Sequence, residues 1–143
     1  SIYFNDHGNK RIRKMNLTTG AIITQIGRGS TGNADSQTED PNDVYFRNVG
    51  DINVSADGAY LFYTDYYGSN GANRNCQARL FNQTNSVQTL FNQVVPINKV
   101  NDIIGNYALG CNTWNSASYN NGQAINARLR YPVGISVNSD QTK

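Results

Sequence analysis

Hydrophobic residues in this chain fall in short runs that alternate with polar ones, and Gly, Asn and Asp cut every run before it could make a helix. Between residues 59 and 65, Tyr60, Phe62 and Thr64 alternate with Leu61 and Tyr63, a run of β-branched and aromatic residues that predicts a strand. Residues 50–55 form the run before it, and Ala56-Asp57-Gly58 closes that run with a step suited to a tight hairpin. After a Gly/Asn-rich loop over 66–75, further strands are predicted at 77–82 and, past Gln83-Thr-Asn-Ser86, at 87–92. The N-terminal region supplies runs at 2–5, 11–15 and 21–26, and the C-terminal region adds another at 133–138.

These runs repeat. Asn16-Leu-Thr-Thr-Gly-Ala-Ile-Ile-Thr-Gln-Ile-Gly27 has the same polar-turn-then-apolar rhythm as Asn82-Gln-Thr-Asn-Ser-Val-Gln-Thr-Leu-Phe-Asn-Gln93, at an offset of 66 (82 minus 16). Upstream, Ile2-Tyr-Phe-Asn-Asp6 lies on Leu61-Phe-Tyr-Thr-Asp65 at 59 (65 minus 6); downstream, Phe46 to Asp57 lies on Leu129 to Asp140 at 83 (140 minus 57). The second copy therefore carries insertions of 7 and 17 residues (66 minus 59, 83 minus 66), expected in the 66–75 loop and between residues 92 and 127. Four-stranded antiparallel units in tandem predict an all-β fold built of β-propeller blades. The expected division is strands two to four of a first blade (1–26), a blade-linking loop (27–49), a second blade (50–92), a long inserted connection (93–132) and the first strand of a third blade (133–143).

The same residues resemble the NHL repeat family. The resemblance rests on Ile2-Tyr-Phe-Asn-Asp6, Asn9-Lys-Arg-Ile12, Thr19-Gly20, Ile22-Ile-Thr-Gln-Ile-Gly27, Gly29 and Gly32, and at the far end on Ala127-Arg-Leu-Arg-Tyr-Pro132-Val-Gly134-Ile135. It is weaker in the second blade, where Ala78 stands at the usual Ile. It implies a propeller, often of six blades. About two blades cannot close a ring, so a fragment of a larger propeller, or a ring pooled from several chains, is expected. The start at Ser1, inside a repeat unit and without Met, agrees with an excerpt of a longer chain.

Composition narrows the classes. The 143 residues are 38% hydrophobic with a net charge of +2, enough for a core and too balanced to indicate nucleic acid. The 22 asparagines, single glutamate (Glu39) and four lysines disfavour long helices. Such a surface fits a secreted protein and equally an AT-rich genome. No run nears the ~18 apolar residues that span a bilayer, so membrane insertion is not expected.

Candidate chemistry is sparse. Cys76 and Cys111 sit at the end of one insertion and inside the other, and the leading reading is a disulfide closing about 36 residues, worth about 4 kcal/mol; two free thiols, or pairing with absent segments, are the alternative. The sequons at Asn16 and Asn82 occupy one repeat position at an exposed turn and are the expected glycosylation sites, with Asn53 inside a strand a lesser one. Tyr66, Tyr67, Trp114 and Tyr119, joined by Tyr107, gather in the insertions as a candidate interaction face for sugar or protein. His7 reads as an ordinary loop residue, and zinc would want more Cys and His than the chain owns, so neither a cofactor nor a metal is expected. Gly27-Arg-Gly-Ser-Thr-Gly32 lacks the Lys-Ser/Thr ending of a phosphate loop, and Arg11, Arg13 and Lys14 read as a solvated face.

Within the resemblance, Asp6 and Asp65 fall at a blade-stabilising aspartate expected to hold loop amides. Asp51 and Asp102 correspond to a calcium arrangement of lactone-hydrolysing relatives only loosely. The expectation is a non-enzymatic, extracellular or cell-surface module, structural or adhesive, with other blades or identical subunits as partners and carbohydrate or extracellular protein as further candidates. A subunit of a surface fibre or matrix would fit. The rivals are a lyase- or lactonase-like propeller enzyme with its metal ligands in other blades, and an intracellular or RNA-binding NHL propeller.

Overall fold

A computed structural model describes residues 1–32, 36–66, 75–105, 111 and 122–138. The fold is all-β and its sheets are antiparallel. One sheet holds β1 (Ile2–Asp6), β2 (Arg11–Met15) and β3 (Ile22–Ile26) in that order. The second has five strands: β4 (Thr38–Glu39), β5 (Val49–Val54), β6 (Tyr60–Asp65), β7 (Gln77–Asn82) and β10 (Val100–Ile104), ordered β4-β10-β7-β6-β5. A hairpin of β8 (Gln88–Leu90) and β9 (Gln93–Val95) stands apart, and Ala124–Asn126 form one short 3-10 turn.

The two larger sheets pack face to face. Ile12 and Ile26 of the first meet Val49, Leu61, Tyr63, Phe81 and Val100 of the second, and Val44 and Phe46 of the connection plug the seam, Phe46 edge-on to Tyr63 at 5.4 Å. Gly27 lets the connection leave β3 tightly: φ is +114°, and a Cβ there would stand 2.8 Å from the Phe46 ring. The connection then lays β4 along β10, covering an otherwise open edge.

One expected strand is misplaced. Residues 87–92 do not continue the second sheet; Phe91 and Asn92 both take positive φ (54° and 58°) as a two-residue turn, and the chain doubles back into β9. β10 takes the fourth place instead. The reason lies at Arg79, whose counterpart Arg13 in the first sheet faces Thr24. In the expected register, at an offset of 66, Leu90 would have faced Arg79 across the strands; β10 instead sets the Asp102 carboxylate opposite it, beside the one that Glu39 supplies.

This moves an insertion. β10 lies on β3 at an offset of 78 (104 minus 26), so 12 of the 17 inserted residues (78 minus 66) sit between the third and fourth strands and five (83 minus 78) in the later connection. The hairpin thus emerges at the end opposite the 66–75 loop, so the second sheet reaches past residue 92 to 104 and the insertions do not share one face. Residues 133–138, the expected first strand of a further blade, join no ladder; they rest on the outer face of the second sheet through Ile135 and Val137.

Candidate interaction surfaces

Strand alternation divides each sheet into an inner and an outer row. On the first sheet Tyr3, Asn5 and Ile12 turn toward the second, where Asn5 Nδ2 donates to the carbonyl of Val49 at 2.9 Å. Ile2, Phe4 and Ile22 therefore turn away, and they are 46%, 37% and 55% exposed. On the second sheet the outer row is Phe62, Ala78, Leu80 and Ile103. The hairpin covers some of it with Leu90 and Val95, and Ile135 and Val137 cover another stretch. Between these lies an apolar cleft of about 330 Å³ lined by Phe62, Phe91, Ile103, Ile104, Ile135 and Val137 among others. Phe91 is held there at the hairpin tip in a conformation bulky residues avoid, edge-on to Phe62 at 6.5 Å.

Cys76 and Cys111 form a disulfide with Cα atoms 5.0 Å apart. It ties the entry of β7 to the connection after β10, as the sequence spacing suggested. Of the aromatic cluster, Tyr66 is half-buried and meets Tyr131 edge-on at 6.3 Å, with the Arg130 guanidinium over that second ring at 5.3 Å. Tyr67, Tyr107, Trp114 and Tyr119 lie outside the described residues.

The paired sequons diverge. Asn16 sits in an exposed turn, its side-chain oxygen accepting from the amides of Thr18 and Thr19. Asn82 is fully buried: Nδ2 donates to the carbonyls of Ser86, Val95 and Pro96, while Oδ1 accepts from the amide and hydroxyl of Thr84. It clamps the base of the inserted hairpin, and its amide has no room for a glycan. The Asn-x-Thr pattern there is an Asx turn. Asn53 is half-buried on β5, pairing opposite Phe62.

The charged centre of the second sheet is the feature that sequence reasoning missed. Arg79, buried, pairs with Glu39 from the connection, and its Nε lies 2.7 Å from Oδ1 of Asp102; Gln77 Nε2 donates to the same oxygen at 3.0 Å. A signal existed, because Arg13 and Arg79 share one repeat position at an offset of 66 (79 minus 13). In the first sheet Arg13 binds Asp6 and Thr24, each at 2.9 Å, and stays partly exposed. These pairs are cross-strand fasteners, each charge engaged by the fold itself.

In the second sheet the aspartate expected to hold loop amides does so. Asp65 accepts from the amides of Arg47 and Asn48 and from Asn75 Nδ2, and burial pushes its carboxyl up to about 6 against those bonds. At Asp6, hydrogen bonds from Asn9 and Arg13 outweigh the desolvation that raises it and hold the carboxyl below its ordinary value. Asp51 and Asp102 are not brought together: β5 and β10 have β6 and β7 between them. Among the described residues no three His, Cys, Asp or Glu side chains gather as a metal site, and His7 is exposed in a turn. The basic cluster also splits, Arg13 going to Asp6 and Lys14 lying over the Tyr3 ring at 5.4 Å on the other face.

Compared with models of known families and with curated proteins, this chain matches none. Among the described residues no helix is long and apolar enough to cross a membrane. The surfaces above carry the functional argument alone.

Proposed function

We propose that this chain is an extracellular, non-enzymatic segment of an NHL-like β-propeller, its two large sheets being blades, and that it acts as a structural or adhesive interaction module. The observation that supports it best is the pair of apolar rows on the outward faces of the sheets, Ile2, Phe4 and Ile22 on one and Phe62, Ile103 and Ile104 with their cleft on the other. Rows of this kind, on sheets already packed together on their inner faces, serve association rather than chemistry. The cystine suits an oxidising compartment, and Asn16 offers an exposed glycan acceptor.

The partners this reading favours are further blades or identical subunits, with carbohydrate and extracellular protein as secondary ligands. The test is secretion of the chain from a eukaryotic host, intact mass before and after reduction and deglycosylation, and sedimentation. An intact cystine, one glycan and a sedimenting mass above that of one chain are expected. A reduced, unglycosylated single chain recovered from the secretory route would sink the proposal.

A further inference from the structure

The repeat offsets relate the outward rows of the two sheets to their inner ones. Through them, Ile2, Phe4, Met15 and Ile22 of the first sheet correspond to Leu61, Tyr63, Phe81 and Val100 of the second, four of the residues that seal it against the first. Tyr3, Ile12 and Ile26, which receive that seal, correspond to Phe62, Ala78 and Ile104, the outer row of the second sheet. The outward face of the first sheet is thus of the kind that the outward face of the second is built to receive.

The strand inventory points the same way. In the second sheet β5 is the edge strand beside β6; in the first, β1 has β2 on one side and no strand on the other among the described residues. The counterpart of β5 is the segment 133–138, with Ile135 and Val137 at the positions of Ile52 and Val54, at an offset of 83 (135 minus 52). That segment joins no ladder, and it already lies against the second sheet as β5 lies against the first, through Ile135 and Val137 where β5 uses Ile52 and Val54. The amide of Ile135 donates to the Asp51 carboxylate at 3.3 Å, which anchors it there.

We infer that two copies of this chain join head to tail, residues 133–138 of one adding as an edge strand beside β1 of the next. The inference rests on the self-association reading above and names its strands. The register follows from β5 and β6: Ile52 opposite Tyr63 and Val54 opposite Leu61 become Ile135 opposite Phe4 and Val137 opposite Ile2. Cross-strand neighbours share a face about 5 Å apart, so Phe4 of the second copy enters the apolar cleft beside Ile135 and Phe62 of the first. Leu129, at the repeat position of the plug Phe46 and half-buried, is placed to meet it as Phe46 meets Tyr63. The contact is heterologous, so it either closes into a ring or grows into a filament. With two blades per copy, a ring of ordinary blade number takes about two to four copies.

The test uses the full chain. A Val137→Cys variant is mixed with an Ile2→Cys variant under mild oxidation, with Leu17→Cys, exposed in the turn after β2, as the out-of-register partner. Covalent dimer is expected with Ile2→Cys in large excess over Leu17→Cys, and a Phe4→Asp substitution that leaves the circular dichroism unchanged should shift the sedimenting species to single chains. Equal mixing of Phe4→Asp with Ile135→Asp should restore one discrete dimer through the two intact faces. If the wild-type chain associates but neither the register-specific cross-link nor the Phe4→Asp shift is seen, the strand assignment is overturned and the self-association reading stands. A wild-type chain that sediments singly and gives no cross-link overturns both.

Discussion

Arg79 and Asp102 face each other across neighbouring strands with Nε 2.7 Å from Oδ1, both side chains shut off from solvent. The Nε–H is not aligned as a hydrogen bond, so the attraction is that of charge. Losing Asp102 leaves the buried guanidinium with Glu39 as its remaining carboxylate partner, and breaking a buried pair costs up to about 3–5 kcal/mol. Asp102→Asn should therefore lower the stability of the second sheet by that order in urea unfolding. The triple change Arg79→Met, Asp102→Leu, Glu39→Met should recover most of it. A loss for Asp102→Asn below ~1 kcal/mol would show that the pair fastens nothing.

Asp65 gives the fold a pH slope. Its carboxyl is pushed up from 3.8 to about 6 by burial, so between those values the folded chain keeps a proton that the unfolded chain releases. The contribution is fully present below about pH 4, falls as pH rises through the window by up to about 3 kcal/mol, and is absent above it. Asp65→Asn keeps an oxygen for the amides of Arg47 and Asn48 but cannot titrate. The stability difference between wild type and variant should thus change between pH 4 and 6 and level off above; a flat difference would rule out the raised carboxyl.

The Cys76–Cys111 bridge closes a separation of 35 residues. Chain entropy assigns about 4 kcal/mol to a loop of that length. The double change to Ser should lower the urea midpoint accordingly while the strand signal in circular dichroism persists below the transition. Reduction of the wild type should reproduce the shift, and an unchanged midpoint would mean that the bridge constrains little.

Asn16 and Asn82 should behave differently in a secreting host. Asn16→Gln is expected to remove glycan mass and, by loosening an exposed turn, to cost no more than about 1 kcal/mol. Asn82→Ala is expected to leave the glycan mass untouched and to cost about 1–3 kcal/mol, because the carbonyls of Ser86, Val95 and Pro96, that of Val95 buried, lose their donor. Glycan found on Asn82 would contradict the burial of its amide.

By itself the sequence determined what short-range physics controls. Alternation over 59–65 and 77–82, the Asp57-Gly58 turn and the paired repeats fixed strand type, most boundaries and the antiparallel order, because each depends on residues close in the chain. The Cys76–Cys111 pairing was legible too, since only two cysteines were there to pair. The tertiary structure alone decided which of two similar runs became the fourth strand. Residues 87–92 and 100–104 both read as β, and the choice turned on which could set a carboxylate against Arg79, an interaction that local pattern does not encode. The same limit applies at Asn82, where an exposed-turn motif became a buried clamp because the inserted hairpin folds back over it. It applies to residues 133–138, whose strand pattern is intact but whose ladder needs an edge strand to pair with, and pairing depends on the neighbour as much as on the strand.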